Sequence, residues 1–236
     1  VLRSPTKRSP PRSVLLFPPM TEPDVTLTDY AIALECAILC VLATRWRTSP
    51  PNDALRRWWV VLFASIGAGA LLGGTVHGFF LDVQTLGNRI LWPATLLALG
   101  VTSMTMWFVG ATAALREPRA TWLRRAAVAA LVAYALVVIF VDSRFVVAIA
   151  MYLPATVFLL VTLFVLYARR PTRALAVGIA GLLLTFVAAA VHQLRMPLHR
   201  VWFNHNALYH VIQGFALAMI YVGARRLTTA PTATTS

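Results

Sequence analysis

The chain has 236 residues, 59% of them hydrophobic and 12% charged, and a mean hydropathy of +0.73. A soluble domain carries about 25% charged residues, so this composition excludes a water-soluble globule and identifies an integral membrane protein. The net charge of +13 does not indicate a nucleic-acid partner, because 20 of the 21 basic residues are Arg in short clusters between apolar runs, which is how membrane topology is signalled.

Residues 1–25 hold six prolines and four basic residues and read as an extended tail. The tail opens on Val rather than Met, so processing, trimming or an alternative start codon is expected. It carries the only lysine, Lys7. A retinal pigment needs a helix lysine for its Schiff base, so that class is excluded despite the helix count that follows.

Seven apolar stretches succeed one another, at 26–44, 58–80, 90–115, 124–141, 145–168, 174–193 and 205–224. Each approaches the ~20 residues that cross a hydrocarbon core as a helix, and none shows the period-2 alternation of a barrel strand. The fold class is therefore all-α, a seven-transmembrane-helix bundle. Its domains are a tail over 1–25, the membrane domain over 26–226 and a Thr-rich tail over 227–236. In the first span Cys36 and Cys40 share a helix face, a spacing unsuited to a disulfide. Gly67, Gly69, Gly73 and Gly74 in the second span predict close helix packing. Pro154 should kink the fifth span, and the short connections predict that consecutive helices are antiparallel neighbours.

Thirteen arginines fall in the first, third and fifth loops and after the seventh span, against four in the opposite loops and four basic residues in the tail. This asymmetry predicts the N-terminus outside and the C-terminus in the cytoplasm. All five histidines then share the outer side: His77 ends helix two, His192 ends helix six, His199 lies in the last outer loop, and His205 and His210 open helix seven. Glu22, Asp24, Asp29, Glu35, Asp82 and Asp142 join them. Ionisable residues inside a span are functional-site candidates by default, and Glu35 is the acid most clearly inside one. Asp24 and Asp29 also suit a helix N-terminus on charge grounds alone.

The stretch Trp202–Gln213, WFNHNALYHVIQ, concentrates polar groups where the seventh helix begins. Asn204 suits the N-cap. Asn206, His210 and Gln213 fall on one stripe, whereas His205 points elsewhere, nearer Tyr209. A catalytic zinc takes three protein ligands and an open water position. His77 and His210 with one of His205, Asn206 or His192 could supply that set, with Asp82 and Glu35 as carboxylates orienting the imidazoles. Haem ligation by two of the histidines is the competing cofactor reading.

Seven spans, a helix-two histidine and the N-A-L-Y-H segment opening helix seven resemble the superfamily of alkaline ceramidases, progestin/adiponectin receptors and glycolipid-remodelling hydrolases. The resemblance implies a zinc-dependent membrane hydrolase acting on a lipid amide or ester, with its site near the outer leaflet. His77 matches the helix-two ligand and His210 the second helix-seven ligand. Asn206 stands at the first helix-seven histidine, Gly73 where a serine is expected, and Asp82 is a loose match for the aspartate. On this reading Asp82 and Glu35 are catalytic, His77, His210, His205 and Asn206 lie at the metal, and His192, Tyr209, Gln213 and Asp29 complete the polar site. The alternative is a non-catalytic sensor or small-molecule-binding protein. Membrane lipids are the expected partners, and an Arg- and Ala-rich chain nearly free of Lys suggests a bacterial plasma membrane.

Overall fold

A computed structural model describes residues 20–48, 52–199 and 203–229. The tail residues 1–19 and 230–236, and Trp202 at the head of the helix-seven stretch, lie outside them. Seven helices follow in order: α1 Pro23–Thr44, α2 Asp53–Phe79, α3 Leu86–Ala114, α4 Arg119–Phe140, α5 Phe145–Arg169, α6 Arg173–Gln193 and α7 His205–Thr229. All seven are long and apolar enough to cross a membrane, and there is no strand among the described residues.

The membrane domain is longer at both ends than the 26–226 expected from hydropathy. Pro23 takes an early helical position and Asp24 follows in the first turn. Proline's fixed φ is pre-organised for a helix start, and the acid favours the positive end of the helix dipole. At the other end Thr228 is fully buried and its hydroxyl donates to Ala224 O at 2.8 Å, so packing carries α7 on to Thr229. Both α3 and α5 continue through an internal proline, Pro93 and Pro154.

The bundle is a ring of six helices with one outside it. α1 packs on α2 and α7, α2 on α3, α3 on α5, α5 on α6 and α6 on α7, while α4 leans on α3 and barely meets α5. The expectation that every pair of consecutive helices are close neighbours therefore fails at α4–α5. Only Ala120, Ala127, Tyr134 and Val138 of α4 are buried, so its remaining faces are as apolar as a core but meet lipid.

Small residues set the close approaches. A Cβ on Gly74 would fall 2.7 Å from Asp29 Cβ, and one on Gly178 only 2.8 Å from Gly223 Cα. Helices α1–α2 and α6–α7 thus touch almost backbone to backbone, where any side chain would hold them apart. The large apolar side chains gather away from the histidines, around Trp46, Trp59, Phe63 and Tyr221, with Trp46 Nε1 donating to Tyr221 OH at 2.9 Å. The other half of the ring, between the N-terminal half of α1 and the first turns of α7, keeps a cavity.

Candidate intramembrane binding site

The cavity occupies about 310 Å³ inside the bundle, at the lower end of the ~300–1,000 Å³ typical of ligand pockets. Its body is apolar, with Ile32, Ile66, Leu99, Phe145 and Ile149 in the wall. One end is polar, and α1, α2, α6 and α7 all contribute to it. Asp29, His77, His192, Asn206, Tyr209, His210 and Gln213 line it.

The local sequence explains how α7 is placed there. Asn204 Oδ1 accepts from the backbone N–H of Asn206 at 2.8 Å and of Ala207 at 3.1 Å, the expected N-cap. Asn204 in turn donates its own N–H to Asp24 Oδ2 at 2.9 Å. The start of α7 is thereby fastened to the first turn of α1. From there Asn206, His210 and Gln213 reach the cavity as one stripe and His205 does not, as their spacing predicts. The ring of His205 instead lies 5.7 Å from that of His192, which also packs 5.4 Å from Tyr209.

Two histidines at the polar end are each held by a carboxylate. His77 Nδ1 lies 2.5 Å from Glu22 Oε2. His210 Nε2 lies 3.2 Å from Asp29 Oδ1, with both side chains largely buried, and its Nδ1 lies 3.2 Å from Thr28 Oγ1. The Thr28 hydroxyl also has Asp24 O within 2.8 Å. That shorter bond takes its single proton, so Thr28 offers His210 a lone pair and Nδ1 is the donor. Nε2 and Asp29 then share one proton, as imidazolium and carboxylate or as imidazole and carboxylic acid.

Two of the expected roles are corrected by this geometry. Asp82 orients no histidine: its Oδ1 accepts from Gln84 N at 2.9 Å, shaping the turn into α3. Glu22 and Asp29 are the carboxylates on the imidazoles. Glu35 does not line the cavity but a separate groove between α1 and α7. Gly73 lies in the cavity wall, where an added Cβ would meet only Thr95 Cγ2 at 3.5 Å and Asp29 Oδ2 at 3.8 Å. Sequence reasoning missed Glu22 and Thr28 as histidine partners. An acid directly before a helix-starting proline was the available signal for Glu22.

The side chains do not fit a zinc ion as arranged. Both ring nitrogens of His210 are taken by Thr28 and Asp29, and Nδ1 of His77 by Glu22. No three His, Cys, Asp or Glu side chains among the described residues converge as ligands, whereas catalytic zinc needs three.

What the polar end does offer is unused acceptors. Asn206 Oδ1 and Gln213 Oε1 are buried without a hydrogen-bond partner, although buried polar atoms are nearly always paired. Thr185 fixes the orientation of Gln213. Its hydroxyl has Gly181 O at 3.3 Å to donate to, so it accepts from Gln213 Nε2 at 3.5 Å and leaves Oε1 without a protein donor.

Residues 25–229 match a family described only as a family of unknown function, DUF6962. No curated protein and no solved structure matches the chain.

Proposed function

The chain belongs to DUF6962, and since that family carries no assigned activity, we propose from the site alone that this protein binds a small amphipathic molecule inside the membrane. The ligand places an apolar body in the cavity and presents N–H or O–H donors to its polar end. The observation that carries this reading is the pair of buried amide oxygens, on Asn206 and Gln213, in the lining of a cavity with no protein donor for them. Leaving a buried acceptor unpaired costs about 1–3 kcal/mol, and a ligand that donates to it recovers that cost. One such contact is worth roughly 5- to 150-fold in affinity by the same range. The arginine asymmetry supports placing this end of the bundle on the exterior side of a bacterial plasma membrane.

The test is to purify the protein in mild detergent, extract it with organic solvent and identify what co-purifies by mass spectrometry. One donor-bearing compound at near-stoichiometric amount is expected with the wild type and is lost from Gln213→Leu. Equal recovery from the folded variant would refute the reading.

A lipid amide or ester hydrolase, the activity implied by the ceramidase resemblance, is the second reading. The Glu22–His77 pair favours it, because Glu22 holds the imidazole by Nδ1 and leaves Nε2 for general base work on a substrate in the cavity. It predicts turnover that His77→Gln reduces by roughly 10²–10⁴-fold, the usual worth of such catalysis, and that Glu22→Gln also reduces. Stoichiometric zinc in the purified wild type, measured by elemental analysis, would refute the metal-free form of both readings.

A further inference from the structure

A second depression, of about 340 Å³, lies between α1 and α7. Val211 and Phe215, 38% and 67% exposed, flank it on the outer surface of the bundle, so it opens sideways toward hydrocarbon. Small side chains make the room, chiefly Ala31, Gly214 and Ala218. Glu35 stands in this groove. It follows Pro23 by twelve residues, which at ~1.5 Å per residue puts it ~18 Å along the axis. In a 22-residue helix that is the depth of the bilayer centre.

Leu34 and Ile38 on either side of Glu35 are 64% and 51% exposed, yet the acid itself is tucked against α7. Its Oε2 lies 3.0 Å from the place a Cβ on Gly214 would occupy. No hydrogen bond or ion pair reaches its carboxyl among the described residues, and no Arg or Lys lines the groove. The other acids of this half of the bundle are engaged: Glu22 with His77, Asp24 with Asn204 and Asp29 with His210. A carboxyl at this depth is costly unless it has a partner, and α1 and α7 do not supply one.

We propose that this groove binds a single-chain amphiphile bearing an ammonium head group, whose cation pairs with Glu35 and whose chain lies against Val211 and Phe215. Charge complementarity selects the head group: Glu35 is the one acid lining the groove, and no Arg or Lys lines it. Its one histidine, His210, has both ring nitrogens engaged by Thr28 and Asp29. The low-polarity surroundings strengthen the pairing well beyond its value in water. The absent side chain at Gly214 keeps the carboxyl in place and leaves the head group room beside it. Ile32 and His210 line both this groove and the inner cavity, so they form the wall between two sites with different ligands.

The full chain in lipid nanodiscs is treated with dicyclohexylcarbodiimide, which modifies carboxyls in apolar surroundings, and labelling is read by peptide mass spectrometry. Glu35 is expected to be labelled. Dodecyltrimethylammonium is expected to slow that labelling at least tenfold, and dodecanol to leave it unchanged. Glu35→Gln should abolish thermal stabilisation by dodecyltrimethylammonium without loss of fold, whereas Gln213→Leu, in the inner cavity, should retain it. Equal protection by dodecanol would reduce the groove to a place for any chain and overturn the proposal. So would absence of protection by the cation, or failure of Glu35 to label because a second copy of the chain covers it.

Discussion

Replacing Gly74 by Ala tests the contact on which the site depends, and Gly73→Ala is its internal control. The added Cβ at Gly74 would lie 2.7 Å from Asp29 Cβ and 3.1 Å from two ring carbons of Tyr30. Carbon atoms at rest sit ~3.5–4.0 Å apart, so α1 must withdraw from α2 by about 1 Å, because Asp29 Cβ moves only with its backbone. Overpacking of this kind costs ~1–3 kcal/mol. The same movement loosens the 3.2 Å bond from Asp29 to His210, and an unpaired buried group adds about 1–3 kcal/mol. The total is ~2–5 kcal/mol, taking the two terms as partly overlapping. At ~2–4 °C per kcal/mol for a domain near this size, Gly74→Ala should lower the midpoint of thermal unfolding in detergent by roughly 4–20 °C. The Cβ of Gly73→Ala meets nothing closer than 3.5 Å, so its midpoint should stay within ~2 °C. The substitutions are chemically identical and adjacent in one helix, which cancels helix propensity. Equal shifts for the two variants, or an unchanged Gly74→Ala, would refute the α1–α2 packing and with it the placement of Asp29.

Three further outcomes follow from the same geometry. Gln213→Leu should raise the unfolding midpoint of ligand-free protein, because it removes an acceptor whose burial costs ~1–3 kcal/mol while Thr185 keeps its bond to Gly181; differential scanning fluorimetry after delipidation reads this. Trp46→Phe keeps the packing against Tyr221 but loses the 2.9 Å hydrogen bond, and should cost about 0.5–1.5 kcal/mol in denaturant unfolding. Asp142, half-buried in the α4–α5 turn, has its carboxyl held below the usual range by hydrogen bonds from the Arg144 side chain and then its backbone. A depressed carboxylate stabilises above its unfolded pKa of ~3.9 and loses that contribution as pH falls through the folded value, so Asp142→Asn should flatten the acid limb of the stability–pH profile by lowering stability at neutral pH, with little change at the acid end.

The seven spans were legible because hydropathy reports helix length directly, and the common end of the histidines followed from counting spans. The stripe of Asn206, His210 and Gln213 was legible from helical periodicity alone. The carboxylate partners were not. Asp82 follows His77 in sequence, and nearness along the chain suggested a pairing that the turn at Gln84 instead consumes. Glu22 is 55 residues from His77 and meets it only because Pro23 starts α1 early enough to hold the acid at the rim. The position of α4 was illegible for a different reason: in lipid an exposed helix face and a packed one can have the same composition, so hydropathy does not distinguish a ring member from an outlier. Glu35 was correctly singled out as an acid within a span, but periodicity does not tell whether such a face looks into the bundle or along a seam between helices.

The pairing of Asp29 with His210 also has a consequence in time. Thr28 and His210 are 182 residues apart, and chains are synthesised at ~5–20 residues per second. The first helix therefore emerges roughly 10–40 s before the imidazole that will satisfy its buried acid has been made. During that interval α1 carries Asp29 and Glu35 without their final neighbours. Its early company is α2, whose glycines bring the backbone against Asp29, and the insertion machinery that receives both helices. Strengthening the first span by Asp29→Leu should thus speed its membrane integration in a translation-arrest assay, even though the finished protein loses the partner of His210.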